Sequence, residues 1–347
     1  MPRASLWLGR CVKVVDGTGL SMPDTASNQA AYPQSVSQKP GCGFPLMKRV
    51  GLFSLASGAL LHFARGTQYN HDGQLFVQLW PHLLKGDVVL GDRGFCSFLA
   101  LGSLLAQGVD SVLRLHQTRR VDFRRGQRLG KDDQLIVWQR PFRRPTEQHP
   151  ELMAALPKQL TVRQIRLRVQ IKGFRSQTIV LVTTLLDPVA YPADEIRQLY
   201  LQRWSVELHF REIKTLLALD VLRCLSSEMV EKELLVHVIA YNLVRSVMQQ
   251  AALQHQVDLE RLSFKGTLDT LNRFAEAIHA AHGEPHRQTK LRDAMFELIA
   301  RDQLPIRPGR SEPRAKKRRP KAYPFLTKPR RKMRVAPRSG RSKKSVS

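Results

Sequence analysis

The sequence predicts an α/β fold, a mixed sheet flanked by helices. Three observations predict it. Residues 11–16 (C-V-K-V-V-D) and 87–92 (D-V-V-L-G-D) are short apolar runs that end in an acid, as buried strands do in front of a ligand site. Residues 178–185 (T-I-V-L-V-T-T-L) are a β-branched run of the same kind. Between and after these runs the apolar spacing turns helical, most clearly over 194–252.

In chain order, residues 21–45 are rich in Ser, Pro, Asn, Gln and Gly and read as a loop. Residues 50–65 read as a strand followed by a second strand or a short helix, a hairpin-like continuation of the sheet. A helix is expected over 71–84 with Asp72 as its N-cap, and another over 97–107. Residues 109–115 complete this alternation as a strand.

The stretch 114–175 has a different character, with 16 Lys/Arg against five acids. Its strand-like pieces are 134–140 and 160–171. In the second, Arg163, Arg166 and Arg168 alternate with Val162, Ile165, Leu167 and Val169. Alternation predicts a β-ribbon with its cations on one face, suited to DNA phosphates. A solvated outer face is the alternative. Residues 178–185 then return to the main sheet. A helix capped at Asp194 leads into 200–214, a long helix covers 226–252, and 259–303 are helical without evident chemistry.

Composition narrows the partners. There are 56 Lys/Arg against 29 Asp/Glu in 347 residues, a net charge of +27. That excess points to a polyanion such as DNA. Residues 307–347 alone carry 17 Lys/Arg and one acid, Glu312, and few aliphatics, which predicts a disordered basic tail with salt-sensitive, sequence-blind DNA affinity. No apolar run is long enough to span a membrane, and the N-terminus has no secretory pattern. Cys11, Cys42, Cys96 and Cys224 have no zinc-ligand spacing, and a reduced cytoplasmic compartment fits them most simply.

The segment 200–214 (Y-L-Q-R-W-S-V-E-L-H-F-R-E-I-K) holds the most chemistry. On one regular helix, Tyr200, Arg203, Glu207 and Lys214 fall within about 60° of each other, beside an apolar stripe. A solvated helix edge would look similar. Asp16, Asp92 and Glu207 together supply three carboxylates on two strand ends and one helix. Such a set can hold two Mg²⁺ ions, with Mn²⁺ as a substitute, for phosphodiester chemistry without His or Cys.

The spacing Y-x2-R-x3-E-x6-K resembles the signature of the DDE transposases of the insertion-sequence-four family. V-D-G-T at 15–18, G-D-R-G-F at 91–95 and R-W-S-V-E at 203–207 resemble that family's three acidic motifs, and A-Y-N-L-V-R at 240–245 is similar to a downstream one. The resemblance covers about residues 8–250. It implies a ribonuclease-H-like core in two parts, 1–113 and 177–252, split by a basic β-rich insertion at 114–176. A helical C-terminal region at 253–306 and the tail at 307–347 follow. It implies Asp16, Asp92 and Glu207 as the catalytic, metal-binding triad, and Tyr200, Arg203 and Lys214 as phosphate contacts. It further implies cleavage of transposon ends, strand transfer into target DNA, a homodimer on DNA, and a cytoplasmic, nucleoid-associated bacterial protein. Only 15 residues precede Asp16, whereas family members carry an end-recognising domain there. A truncated DNA-binding relic or regulator is the rival expectation.

Overall fold

The computed structural model describes residues 6–116, 118–119, 121–142, 149–169, 177–219, 222–305, 328–329 and 332–333. Nine strands form one sheet: β1 (Val12–Ser21), β2 (Leu46–Ser54), β3 (Leu60–Gly66), β4 (Val88–Gly91), β5 (Asp110–Arg114), β6 (Gln127–Gly130), β7 (Asp133–Gln139), β8 (Gln159–Val169) and β9 (Gln177–Thr183). Their spatial order is β3-β2-β1-β4-β5-β9-β8-β7-β6. β1 runs parallel to β4, and β4 to β5; the other pairings are antiparallel. This is the ribonuclease-H-like mixed sheet flanked by helices that the sequence leads one to expect.

Alternation along the strands makes two cores. Val14, Leu20, Met47 and Phe53 point to one face, where they pack with Ile196, Leu199, Val206 and Tyr241. Val15, Val50, Leu52 and Val89 point to the other, against Leu75, Phe76, Leu101 and Leu104. The second face is covered by α2 (Asp72–Val77), α3 (Phe98–Ala106) and α4 (Pro150–Ala155). The first is covered by α5 (Ala193–Gln202), α6 (Ser205–Arg211) and α7 (Ser227–His255), with α8 (Phe264–Ala280) and α9 (Pro285–Arg301) packed on α7.

The structure corrects several local expectations. The loop at 21–45 contains a short helix, α1 (Ala26–Ala31), capped by the Thr25 hydroxyl. α2 is capped by His71, whose backbone N–H donates to the Gln74 side chain, so Asp72 lies inside the first turn. Pro81 sits in a separate 3₁₀ turn, Trp80–His82, because it cannot continue an α-helix. Pro192 starts α5, and Asp194 in its first turn pairs with Arg197 instead of capping.

The expected phosphate-facing ribbon is corrected too. Arg163 is fully buried and makes a bidentate pair with Asp133: Nε to Oδ1 at 2.9 Å and Nη2 to Oδ2 at 2.6 Å. Its Nη1 donates to the Tyr191 carbonyl at 2.7 Å and lies 3.4 Å from those of Leu185 and Asp187. Arg166 is held by Asp132. Arg163 shares its face of β8 with Ile165 and Leu167 and is buried there, whereas Arg166 and Arg168 lie on the opposite face, half-buried and exposed, so the cations do not share one face. The tail at 307–347 lies outside the described residues apart from 328–329 and 332–333.

Candidate active site

Register brings the first two acids together. Val15 pairs with Gly91 across the parallel β1–β4 ladder. Asp16 and Asp92 follow this last pair, so they stand next to each other where β4 ends; the strand expected to stop at Asp16 instead runs on to Ser21, paired with β2, so Asp16 lies in the middle of β1. Each is oriented by a local backbone donor. The Gly17 N–H donates to Asp16 Oδ1 at 2.8 Å, and the Gly94 N–H to Asp92 Oδ1 at 2.7 Å.

The third acid arrives through an arginine. Arg203 Nη1 lies 3.7 Å from Asp16 Oδ2, and its Nη2 lies 3.7 Å from Glu207 Oε1. The guanidinium therefore bridges a strand carboxylate and a helix carboxylate. Arg203 itself is buried, and its Nε has no hydrogen-bond partner among the described residues. Burial, together with the nearby charges of Asp92 and Glu207, pushes the Asp16 carboxyl up to about 6 against the opposing pull of the Gly17 N–H and Arg203.

The helix that carries this chemistry is not continuous. α5 ends at Gln202 and α6 begins at Ser205. Across the join the bonds tighten to i−3, with Arg203 N–H to the Tyr200 carbonyl and Glu207 N–H to that of Trp204. Further on, Glu212–Leu216 widens into a π-turn, closed by Leu217 N–H on the Glu212 carbonyl at 3.1 Å. The single 100°-per-residue stripe is thereby corrected. Tyr200 is 2% exposed and is pushed up to about 12 by burial, while the Glu207 side chain is 64% exposed. The Arg203 guanidinium carbon lies 5.8 Å from the centre of the buried Tyr200 ring. Lys214 donates from Nζ to the Gly19 carbonyl at 3.1 Å, which fixes it over the end of β1.

Among the described residues, no three of His, Cys, Asp and Glu stand close enough to hold one ion. The donor chemistry of Asp16 and Asp92 nevertheless suits a hard divalent cation, and their crowding is the repulsion such an ion would relieve. Glu207 is turned toward Arg203 and does not close on the same point.

Two features escaped the sequence reading. A Cβ at Gly17 would stand 2.9 Å from Asp72 Oδ2, so glycine leaves room for a fourth carboxylate beside the site. Its only sequence signal was the start of α2. The A-Y-N-L-V-R motif is a clamp on the β2–β3 turn. Tyr241 Oη donates to the Gly58 carbonyl at 2.6 Å, Asn242 bonds both the N–H and the carbonyl of Leu60, and Arg245 donates from Nε and Nη2 to the Ser57 carbonyl. Gly58 has φ +68°, and His209, two residues after Glu207, closes over it. The clamp thus sets the floor on which the Glu207 helix rests.

A family model described as the transposase DDE domain matches residues 7–243. The transposase InsG for insertion sequence element IS4 of Escherichia coli is similar to this chain, 29% identical over 326 residues. That alignment covers 93% of this chain and 71% of that protein.

Proposed function

The chain belongs to the transposase DDE domain family, and from that premise we propose that it cuts DNA at the ends of a mobile element and joins the freed ends to target DNA. Water attacks the end phosphate and the bond to the 3′ oxygen breaks; the released 3′-hydroxyl then attacks a target phosphodiester, whose own bond to its 3′ oxygen breaks as the new one forms, leaving a 3′-hydroxyl on the target. The observation that carries this reading is the placement of Asp16, in the middle of β1, beside Asp92, one residue past the end of β4, with Glu207 tied to Asp16 through Arg203.

Asp16 and Asp92 would hold a divalent cation, Mg²⁺ with Mn²⁺ as substitute, and Glu207 would join them when Arg203 turns to the substrate. A bound ion supplies Lewis-acid polarisation of the scissile phosphate and a more nucleophilic oxygen. Arg203 and Lys214 bind phosphate oxygens on either side of the carboxylates, and Tyr200 contributes by holding Arg203 in place. Residues 1–113 and 177–252 make the catalytic core, with 114–176 as an insertion that extends its sheet. The protein works as a homodimer on DNA, in the bacterial cytoplasm at the nucleoid. Among the described residues no helix is long and apolar enough to cross a membrane.

The test is nicking of supercoiled plasmid by the purified chain with Mg²⁺ or Mn²⁺, beside Asp92→Asn and Glu207→Gln. Nicking by the native chain that both variants lose is the expected result. Retained nicking in Glu207→Gln overturns that residue's assignment. Salt-sensitive DNA binding without any nicking means a DNA-binding relic.

A further inference from the structure

Arg49 is the most anomalous charge in the molecule. It lies in the middle of β2 and is 4% exposed. Among the described residues no Asp or Glu pairs with it, and its Nε has no hydrogen-bond partner. The Phe63 ring lies under its guanidinium at 4.2 Å. Burial and the neighbouring Arg65 hold it down at about 9. A buried cation without an anion is costly, and a fold seldom keeps one for packing alone.

Its neighbours make the anomaly sharper. Thr18 pairs with Arg49 across β1–β2, and Arg49 pairs with Arg65 across β2–β3. Two arginines thus stand directly opposite each other, a like-charge pair that destabilises a sheet. Glu231, the acid next in this row, is already taken: Arg65 Nη2 reaches its Oε2 at 3.0 Å, and Tyr32 Oη donates to its Oε1 at 3.0 Å.

The position of this row gives it meaning. Asp16, Thr18, Arg49 and Gly51 share one face of the sheet, by strand alternation and by pairing. The Thr18–Arg49–Arg65 row is therefore two residues along β1 from Asp16, roughly 7 Å. Lys214, fixed on the Gly19 carbonyl, borders it.

We propose that Arg49, flanked by Thr18 and Arg65, is a phosphate subsite that binds a backbone phosphate of the DNA strand next to the one being cut. This rests on the transposase reading of the Asp16–Asp92 site. The anion that the described residues do not provide is supplied by the substrate, and Arg49 anchors the strand so that the neighbouring phosphodiester lies over the carboxylates. The sheet keeps a destabilising pair of cations because the DNA neutralises it.

The experiment compares Arg49→Met and Arg49→Lys with the native full-length chain. It reads thermal unfolding without DNA, and affinity for a duplex of the DNA flanking the coding sequence, in chelator, over about 50 to 200 mM salt. Arg49→Met is expected to unfold at the same or a higher temperature than the native chain. Its affinity falls about tenfold and the slope of log affinity on log salt becomes shallower by about one, the loss of one phosphate contact. Arg49→Lys regains part of both. A lower unfolding temperature with an unchanged salt slope makes Arg49 a packing residue and overturns the proposal. Plasmid nicking on the same preparations separates the two readings. An unchanged slope beside native nicking that Asp92→Asn abolishes sinks the subsite and leaves the transposase standing.

Discussion

Arg163 and Arg49 are both buried in the same sheet, and their surroundings are opposite. Arg163, in the β6–β9 half, has both oxygens of Asp133 and three carbonyls from the segment that leads into α5. Arg49, in the β1–β3 half, has an aromatic ring, a second arginine and an orphaned Nε. Arg203, beside Asp16 and Glu207, resembles Arg49: it is buried, its Nε is unpartnered among the described residues, and both acids are 3.7 Å away. A buried charge whose bonds are complete belongs to the architecture. A buried charge whose bonds are incomplete among the described residues is open to a partner from outside, and Arg203 and Arg49 both stand on the Asp16 side of the sheet.

The largest expected effect tests the satisfied side. Asp133→Asn strands the Arg163 charge in the core and should cost about 3–5 kcal/mol of stability, read from urea unfolding. Replacing both partners by apolar residues should restore most of it. A loss below about 1 kcal/mol for the single change, the range of an exposed pair, would break the comparison.

A smaller effect is expected at the clamp. Tyr241→Phe leaves the Gly58 carbonyl without its donor and should cost about 1–3 kcal/mol. If the clamp only stabilises, metal-dependent nicking at saturating metal stays native once the variant is folded. If it also seats the Glu207 helix, the metal concentration for half-maximal nicking rises.

The smallest effect is a pH dependence on the unsatisfied side. Asp16 has its folded carboxyl raised to about 6, above the ordinary carboxylate value of about 4. The metal-free fold therefore binds more protons than the unfolded chain between these values. Asp16 favours folding fully below about pH 4, and this contribution is lost as pH rises through about 6. The unfolding temperature in chelator should decline across that window, and Asp16→Asn should flatten the decline. An equal decline in the variant would place the titrating group elsewhere.

Much of the site was legible before any coordinates. The acids that follow the apolar runs, the Tyr200–Lys214 segment and the alternation of strands and helices are local patterns, because strand and helix periods are written in neighbouring residues; that β1 runs on past Asp16 to Ser21 was not, since its partner β2 (Leu46–Ser54) is distant in the chain. The nine-stranded order was not legible, and neither was the break at Arg203–Trp204, which a regular helical count passes over. Arg163 was read as surface because alternation tells which side chains share a face, but not what covers that face.

The sequence by itself determined the chemistry available: three carboxylates at separated positions, a cationic surplus, and elements able to bring the acids to one end of a sheet. Only the tertiary structure decided which of the many arginines are spent and which are free to act. Asp133 is 30 residues from Arg163, and the strand row Thr18–Arg49–Arg65 spans 47 residues. Pairing, burial and desolvation are relations between residues distant in the chain, so no local pattern could record them.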